Sequence, residues 1–203
     1  MEKLIYMDNA ATTSTAPEVV SAMLPFFTEY YGNPSSVYNF AQKSKMAIED
    51  AREIIADSIG AAKSNEIYFT GGGSESDNWA LKSAAFGLRD KGNHIITTKI
   101  EHHAILNTCA YLEKNGFEIT YLDVDSEGFV SLEDVENAIT EKTILISVMF
   151  ANNEIGTIEP VCEIGEIAHK HGILFHTDAV QAMCHVPINV TEMNIDLLSA
   201  SAH

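Results

Sequence analysis

The chain of 203 residues is 46% hydrophobic and 20% charged, enough to bury one large core or two small ones and too apolar for a disordered or fibrous protein. Its 29 acidic and 12 basic side chains leave a formal charge of −17, which argues against a nucleic-acid partner held through phosphates, although backbone N–H groups can still hold a phosphate locally. The three widely spaced cysteines, Cys109, Cys162 and Cys184, suggest neither a disulfide framework nor a thiolate metal site and fit a reducing compartment.

The first 13 residues (MEKLIYMDNAATT) are acidic at positions 2 and 8 and lack the apolar centre of a secretory signal. The most apolar run, 144–151 (ILISVMFA), is far too short to span a bilayer, so a soluble cytoplasmic protein without a membrane partner is expected. In chain order, a short strand is predicted at 4–7, followed by a long amphipathic helix that opens after Pro34-Ser35 and closes at Gly60. That helix carries Ile48, Ala51, Ile55 and Ile59 at helical spacing. Strands and helices then alternate, with strands at 66–70, 94–98, 117–122, 143–149, 173–177 and a short one at 195–198. The intervening helices fall at 74–88, 103–114, 131–139 and 161–171; Ser131 with Asp134 forms a candidate capping box, and Gly172 is the expected stop of the last helix.

Helices between successive strands imply an α/β fold with a mostly parallel sheet covered on both faces. No repeat, low-complexity tract or linker marks a boundary, but the segment before Gly60 is nearly strandless and is expected to pack outside the sheet or against a second subunit. Ligands in such sheets lie beyond the carboxyl ends of the strands. Five predicted strand ends are polar: 71–74 (GGGS), 101–103 (EHH), 152–154 (NNE), Asp178 with Gln181, and 199–203 (SASAH).

The run 70–74 (TGGGS) can aim successive N–H groups and a hydroxyl at one anion, yet it is neither a Walker loop nor a dinucleotide fingerprint. A plain strand-to-helix turn is the competing reading. Asp178 follows an apolar strand and needs a partner, either the protonated ring nitrogen of a heteroaromatic cofactor or a local turn N–H. Of the adjacent His102 and His103, one is expected to face the site, to stack on a planar ring or move protons, and the other to face solvent. A metal held by His102, His176 and Asp178 lacks a local ligand pair and is disfavoured. His169 and His171 suit a helix carboxyl terminus, and the three cysteines are expected to be buried and inert.

Together, residues 8–13 (DNAATT), 32–35 (GNPS), 70–78 (TGGGSESDN), 101–103 (EHH), 152–156 (NNEIG), 176–181 (HTDAVQ) and 199–203 (SASAH) closely resemble the cysteine desulfurases of the NifS/IscS type, in order and spacing over nearly the whole chain. The resemblance implies the large domain of a fold-type I pyridoxal 5'-phosphate (PLP) enzyme, usually a homodimer, with residues 1–15 as an arm and 16–203 as an incomplete PLP-binding domain. It implies that Gly73, Ser74, Ser201 and His203 hold the phosphate, that Asn153 and Gln181 bond the phenolic edge, and that Asp178 pairs with the ring nitrogen. His102 would be the catalytic residue, stacking on the ring and assisting proton transfer, and no metal is implied.

In the family, the lysine that binds PLP follows the histidine matched by His203 at once. The sulfur-accepting cysteine, the arginine for the substrate carboxylate and a smaller domain also lie downstream. A parent protein is expected to convert L-cysteine to L-alanine and pass sulfur as an enzyme persulfide to an iron–sulfur scaffold or other acceptor, whereas a chain ending at His203 would not turn over. The alternatives are another fold-type I PLP lyase or transaminase, or an inactive PLP-domain fragment.

Overall fold

Residues 5–202 are described by a computed structural model, and they divide between Tyr68 and Phe69 into two units. In the first, helix α1 (Pro17–Thr28) starts with a proline, whose missing N–H is one the first helical turn leaves unused. Helix α2 (Asn39–Ile59) ends at Gly60 as predicted and buries Ala41, Ser44, Ala56 and Ile59. The Ser44 hydroxyl donates to the Tyr30 carbonyl at 2.6 Å and so fixes the connection between the helices.

Two predicted strands are absent among the described residues. Of 4–7, Leu4 lies outside the described residues and 5–7 are not in a strand. In place of the strand at 66–70 there is a single 3-10 turn, Ser64–Glu66, and then extended chain. The alternating pattern of that segment is satisfied locally instead: the Ile67 N–H donates to Ser64 at 3.1 Å and the Arg52 guanidinium donates to the Ile67 carbonyl. A strand needs a neighbouring edge, and none of the five described strands pairs with this segment.

The second unit carries the alternation in full: α3 (Gly73–Gly87), β1 (His94–Thr98), α4 (His103–Lys114), β2 (Glu118–Leu122), α5 (Leu132–Ala138), β3 (Thr143–Ser147), α6 (Val161–His171), β4 (Leu174–Asp178) and β5 (Leu197–Ser199). The five strands pair in parallel in the order β2-β1-β3-β4-β5. Every residue of β1 and β3 is buried, as befits parallel strands covered on both faces.

Leu81, Ala84 and Ala85 of α3 and Ile105, Cys109 and Leu112 of α4 form one core with Ile95 and Leu145 of the sheet. By strand alternation Ile96 and Ile146 point to the opposite face, where α6 packs on β4 through its buried Val161, Ile164 and Ala168. Each buried Val, Leu or Ile among these contributes about 1.5–3 kcal/mol by leaving water, so much of the unit's stability resides in these two layers. Local signals act as expected at the ends: Ser131 Oγ accepts from the Asp134 N–H at 3.2 Å, and Gly172 takes the left-handed conformation that stops α6.

Candidate cofactor site

The strand order reverses between β1 and β3, so the crevice beyond their carboxyl ends is where an open α/β sheet places its ligand. Four strand ends, those of β1, β3, β4 and β5, bring their loops to this edge; the glycine run enters from an extended segment and not, as predicted, from a fifth strand.

Gly72 has φ +150° and ψ 176°, a conformation open essentially to glycine alone, and its carbonyl accepts the first bonds of α3 from Glu75 and Ser76. The N–H groups of Gly73 and Ser74 lie ahead of those bonds, at the positive end of a 15-residue helix. Thr70 braces the turn: its hydroxyl donates to the Gly72 carbonyl at 3.0 Å and lies 2.8 Å from Ser76 Oγ. Glu75 folds back to accept the Gly71 N–H. A side chain at Gly73 would lie 2.7 Å from Val180 Cγ2 and 3.8 Å from Ser201 Cβ, so the cradle, the loop after β4 and the loop after β5 meet at this glycine.

Asp178 ends β4 in a buried position. One carboxylate oxygen accepts the Val180 N–H at 3.0 Å, so the local turn expected as an alternative does form. It does not neutralise the charge: among the described residues no cation pairs with Asp178, and burial holds its carboxyl above the ordinary range, an effect that nearby His102 opposes. Asn153, half-buried on the loop after β3, donates to Glu154 Oε1 at 3.2 Å, and Gln181 is half-buried three residues past Asp178. His203 lies outside the described residues.

His102 and His103 are both exposed, with rings 6.2 Å apart and nearly perpendicular. His102 is the N-cap of α4, its Nδ1 accepting the Ala104 N–H at 3.2 Å. That bond requires a lone pair on Nδ1, so the neutral ring carries its proton on Nε2. Ser74, His102, Asn78, Lys82, Asn107 and Tyr111 line a groove of about 360 Å³ between α3 and α4.

Two carboxylates here carried no assigned role in the sequence. Asp77, on the inner face of α3, is buried with Oδ1 unpartnered and 3.9 Å from His176 Nε2; burial first, and then Asp178, push its carboxyl up. Its position four residues before Leu81, on the same buried helical stripe, was the available signal. Glu101 is fully enclosed and pushed up to about 8 by burial. His176 is no metal ligand: its two nitrogens lie 2.9 Å from Ser147 Oγ and 3.0 Å from Ser199 Oγ, and burial pushes it down to about 3. No cluster of metal-ligating side chains occurs among the described residues. Cys109 is buried as expected, whereas Cys162 and Cys184 are exposed, because each sits where its helix or turn faces outward.

Residues 5–203 match the model of the aminotransferase class-V family. The chain is 65% identical over 203 residues to the cysteine desulfurase IscS of Clostridium botulinum (strain Kyoto / Type A2), covering all of this chain and 51% of that protein. It is similar to a solved structure described as SspA in complex with cysteine, with 46% identity, a TM-score of 0.94, and coverage of 98% of this chain and 57% of that one. A second, described as a NifS-like protein, shows 41% identity, a TM-score of 0.95, and coverage of 98% and 55%. The chain thus spans about half the length of the relatives it matches. A parallel sheet whose carboxyl edge joins a glycine cradle to a buried aspartate, together with these matches, identifies the chain as a member of the aminotransferase class-V family, similar throughout to its cysteine desulfurases.

Proposed function

We propose that the chain is the cofactor-binding part of a PLP-dependent cysteine desulfurase. The observation that carries the cofactor reading is the close approach at Gly73: an anion cradle and the loop that follows the buried Asp178 meet within one side-chain width. PLP has the matching charges, a phosphate at one end and a protonatable ring nitrogen at the other.

When bound, PLP supplies an electron sink for the carbon skeleton of an amino acid. The chain's own residues bind and orient. Gly73 and Ser74 offer backbone N–H groups to the phosphate, a role in which the family resemblance also includes Ser201 and His203. Asp178 keeps the proton on the ring nitrogen, Asn153 and Gln181 bond the phenolic edge, and His102 stacks on the ring with Nε2–H available as a donor. The relatives' names support removal of sulfur from cysteine; the family resemblance extends this to L-alanine as the carbon product, with sulfur leaving as a persulfide on a protein cysteine for an iron–sulfur scaffold or other acceptor.

Homodimerisation is supported by the exposed apolar side chains of α1, among them Val19, Met23, Leu24 and Phe27. A reducing, cytoplasmic setting is supported by three cysteines that are all free, and no helix among the described residues is long and apolar enough to cross a membrane.

The test uses the full-length protein with PLP and L-cysteine. Equimolar alanine and persulfide-derived sulfide, an intact mass that gains a PLP adduct on borohydride reduction, and loss of at least about 100-fold in kcat for Asp178→Ala are expected. Keto-acid formation without sulfide would instead identify a transaminase of the same fold.

A further inference from the structure

The turn after β1 is held by a carboxyl group that neither the phosphate nor the ring contacts use. Glu101 Oε1 accepts two bonds at once, from the Thr98 hydroxyl at 2.8 Å and from the Met149 N–H at 2.9 Å. Thr98 is the last residue of β1, and Met149 lies two residues past the end of β3. A second tie runs the other way, from Asn152 Nδ2 to the Ile100 carbonyl at 3.0 Å. The Asn152 Oδ1 in turn accepts the N–H groups of Glu154 and Ile155 at 2.8 and 3.1 Å, shaping the loop that carries Asn153. The two loops flanking the reversal of strand order are therefore locked together, and the residue after Glu101 is His102.

We infer that Glu101 is a positioning residue: by clamping the turn after β1 to the loop after β3, it fixes where the His102 ring meets the cofactor. The inference rests on the PLP reading above. A buried carboxyl is a costly way to fill a core position, so its presence there calls for work that an aliphatic side chain cannot do. Here that work is accepting two buried donors from two different loops. Oε2 is buried without a partner, and enclosure favours the neutral acid. A neutral acid has the shape of a carboxamide, so glutamine can keep the clamp and leucine cannot.

The experiment is a double-mutant cycle on PLP affinity in the full-length protein, with visible circular dichroism of the bound cofactor as a second readout. His102→Asn removes the ring while leaving a side-chain acceptor at the helix N-cap. Glu101→Gln is expected within about twofold of wild type, and Glu101→Leu and His102→Asn each about tenfold weaker with the same altered dichroism. The double variant is expected within about twofold of His102→Asn alone, because Glu101 acts through that ring.

Losses that multiply to about 100-fold would make Glu101 a purely structural residue and overturn the inference, as would a Glu101→Gln variant as weak as Glu101→Leu. Should Glu101→Leu fail to fold, Thr98→Val removes one donor of the clamp and enters the same cycle, with the same expected non-additivity. Tight PLP binding by wild type with additive losses overturns this inference alone; absence of PLP binding by wild type overturns the cofactor reading and this inference with it.

Discussion

Gly73 faces Val180 across the site with no room for a side chain between them: a methyl group in place of the glycine hydrogen would sit 2.7 Å from Val180 Cγ2. The valine follows Asp178 by two residues, so crowding at the phosphate cradle is passed directly to the loop that presents the ring-nitrogen partner.

Gly73→Ala is accordingly expected to cost more than a substitution at a helix start usually would. Forced overpacking costs about 1–3 kcal/mol, which corresponds to roughly five- to 150-fold in PLP affinity if the site alone absorbs it. Val180→Ala removes the clashing methyl and should restore most of the loss in the double variant. PLP titration of the full-length proteins measures both, and a Gly73→Ala variant that binds like wild type would show that the contact does not shape the cradle.

The buried acidic floor predicts an unusual pH dependence for the cofactor-free protein. Glu101 is pushed up to about 8, and Asp77 and Asp178 lie above the ordinary carboxylate range, in each case chiefly through burial. Above the unfolded carboxylate value the native state therefore holds protons that the unfolded chain has released, and stability falls as pH rises. His176 works in the opposite direction: pushed from 6.5 down to about 3, it resists a proton that the unfolded chain accepts, so its contribution grows up to about pH 6.5. Between that point and about pH 8 the buried carboxyls set the slope. Denaturant midpoints of full-length, cofactor-free protein should fall between about pH 6.5 and 8, by at most about 1.4 kcal/mol per pH unit for each group, and Glu101→Gln should flatten the slope. A flat or rising profile in wild type would mean that these carboxyls are not held neutral.

Helix ends and buried strands were legible in the sequence because local chemistry decides them. Gly172 stops α6 and Ser131 caps α5, and strands β1 and β3 are apolar enough to admit few alternatives. The segment at 66–70 misled because alternation reports a side-chain pattern and says nothing about whether a sheet edge is present; Arg52 took the carbonyl that a ladder would have used. Gly73, Ser74, Asp178 and Ser201 were legible as candidates because each sits where a helix begins or just where a strand ends. Asp77 was hidden inside a helix, and the clamp on Glu101 depends on Met149, which is 48 residues away and reaches it only through strand order.

The cap made by His102 separates two roles that alanine substitution would merge. Its Nδ1 satisfies the Ala104 N–H, and loss of such a cap costs about 1 kcal/mol, while the ring is free to meet the cofactor. His102→Ala should lose both, appearing as a lower urea midpoint and a reduced kcat. His102→Asn keeps an oxygen near the Ala104 N–H, so it should recover most of the stability and none of the activity. Because the cap leaves the neutral proton on Nε2, the resting ring meets its partner as a donor, and Gln, which reaches further with an N–H, should recover more kcat than Asn. Full activity in His102→Asn would leave the residue as a helix cap and nothing more, and the proton transfer assigned to it would have to come from elsewhere.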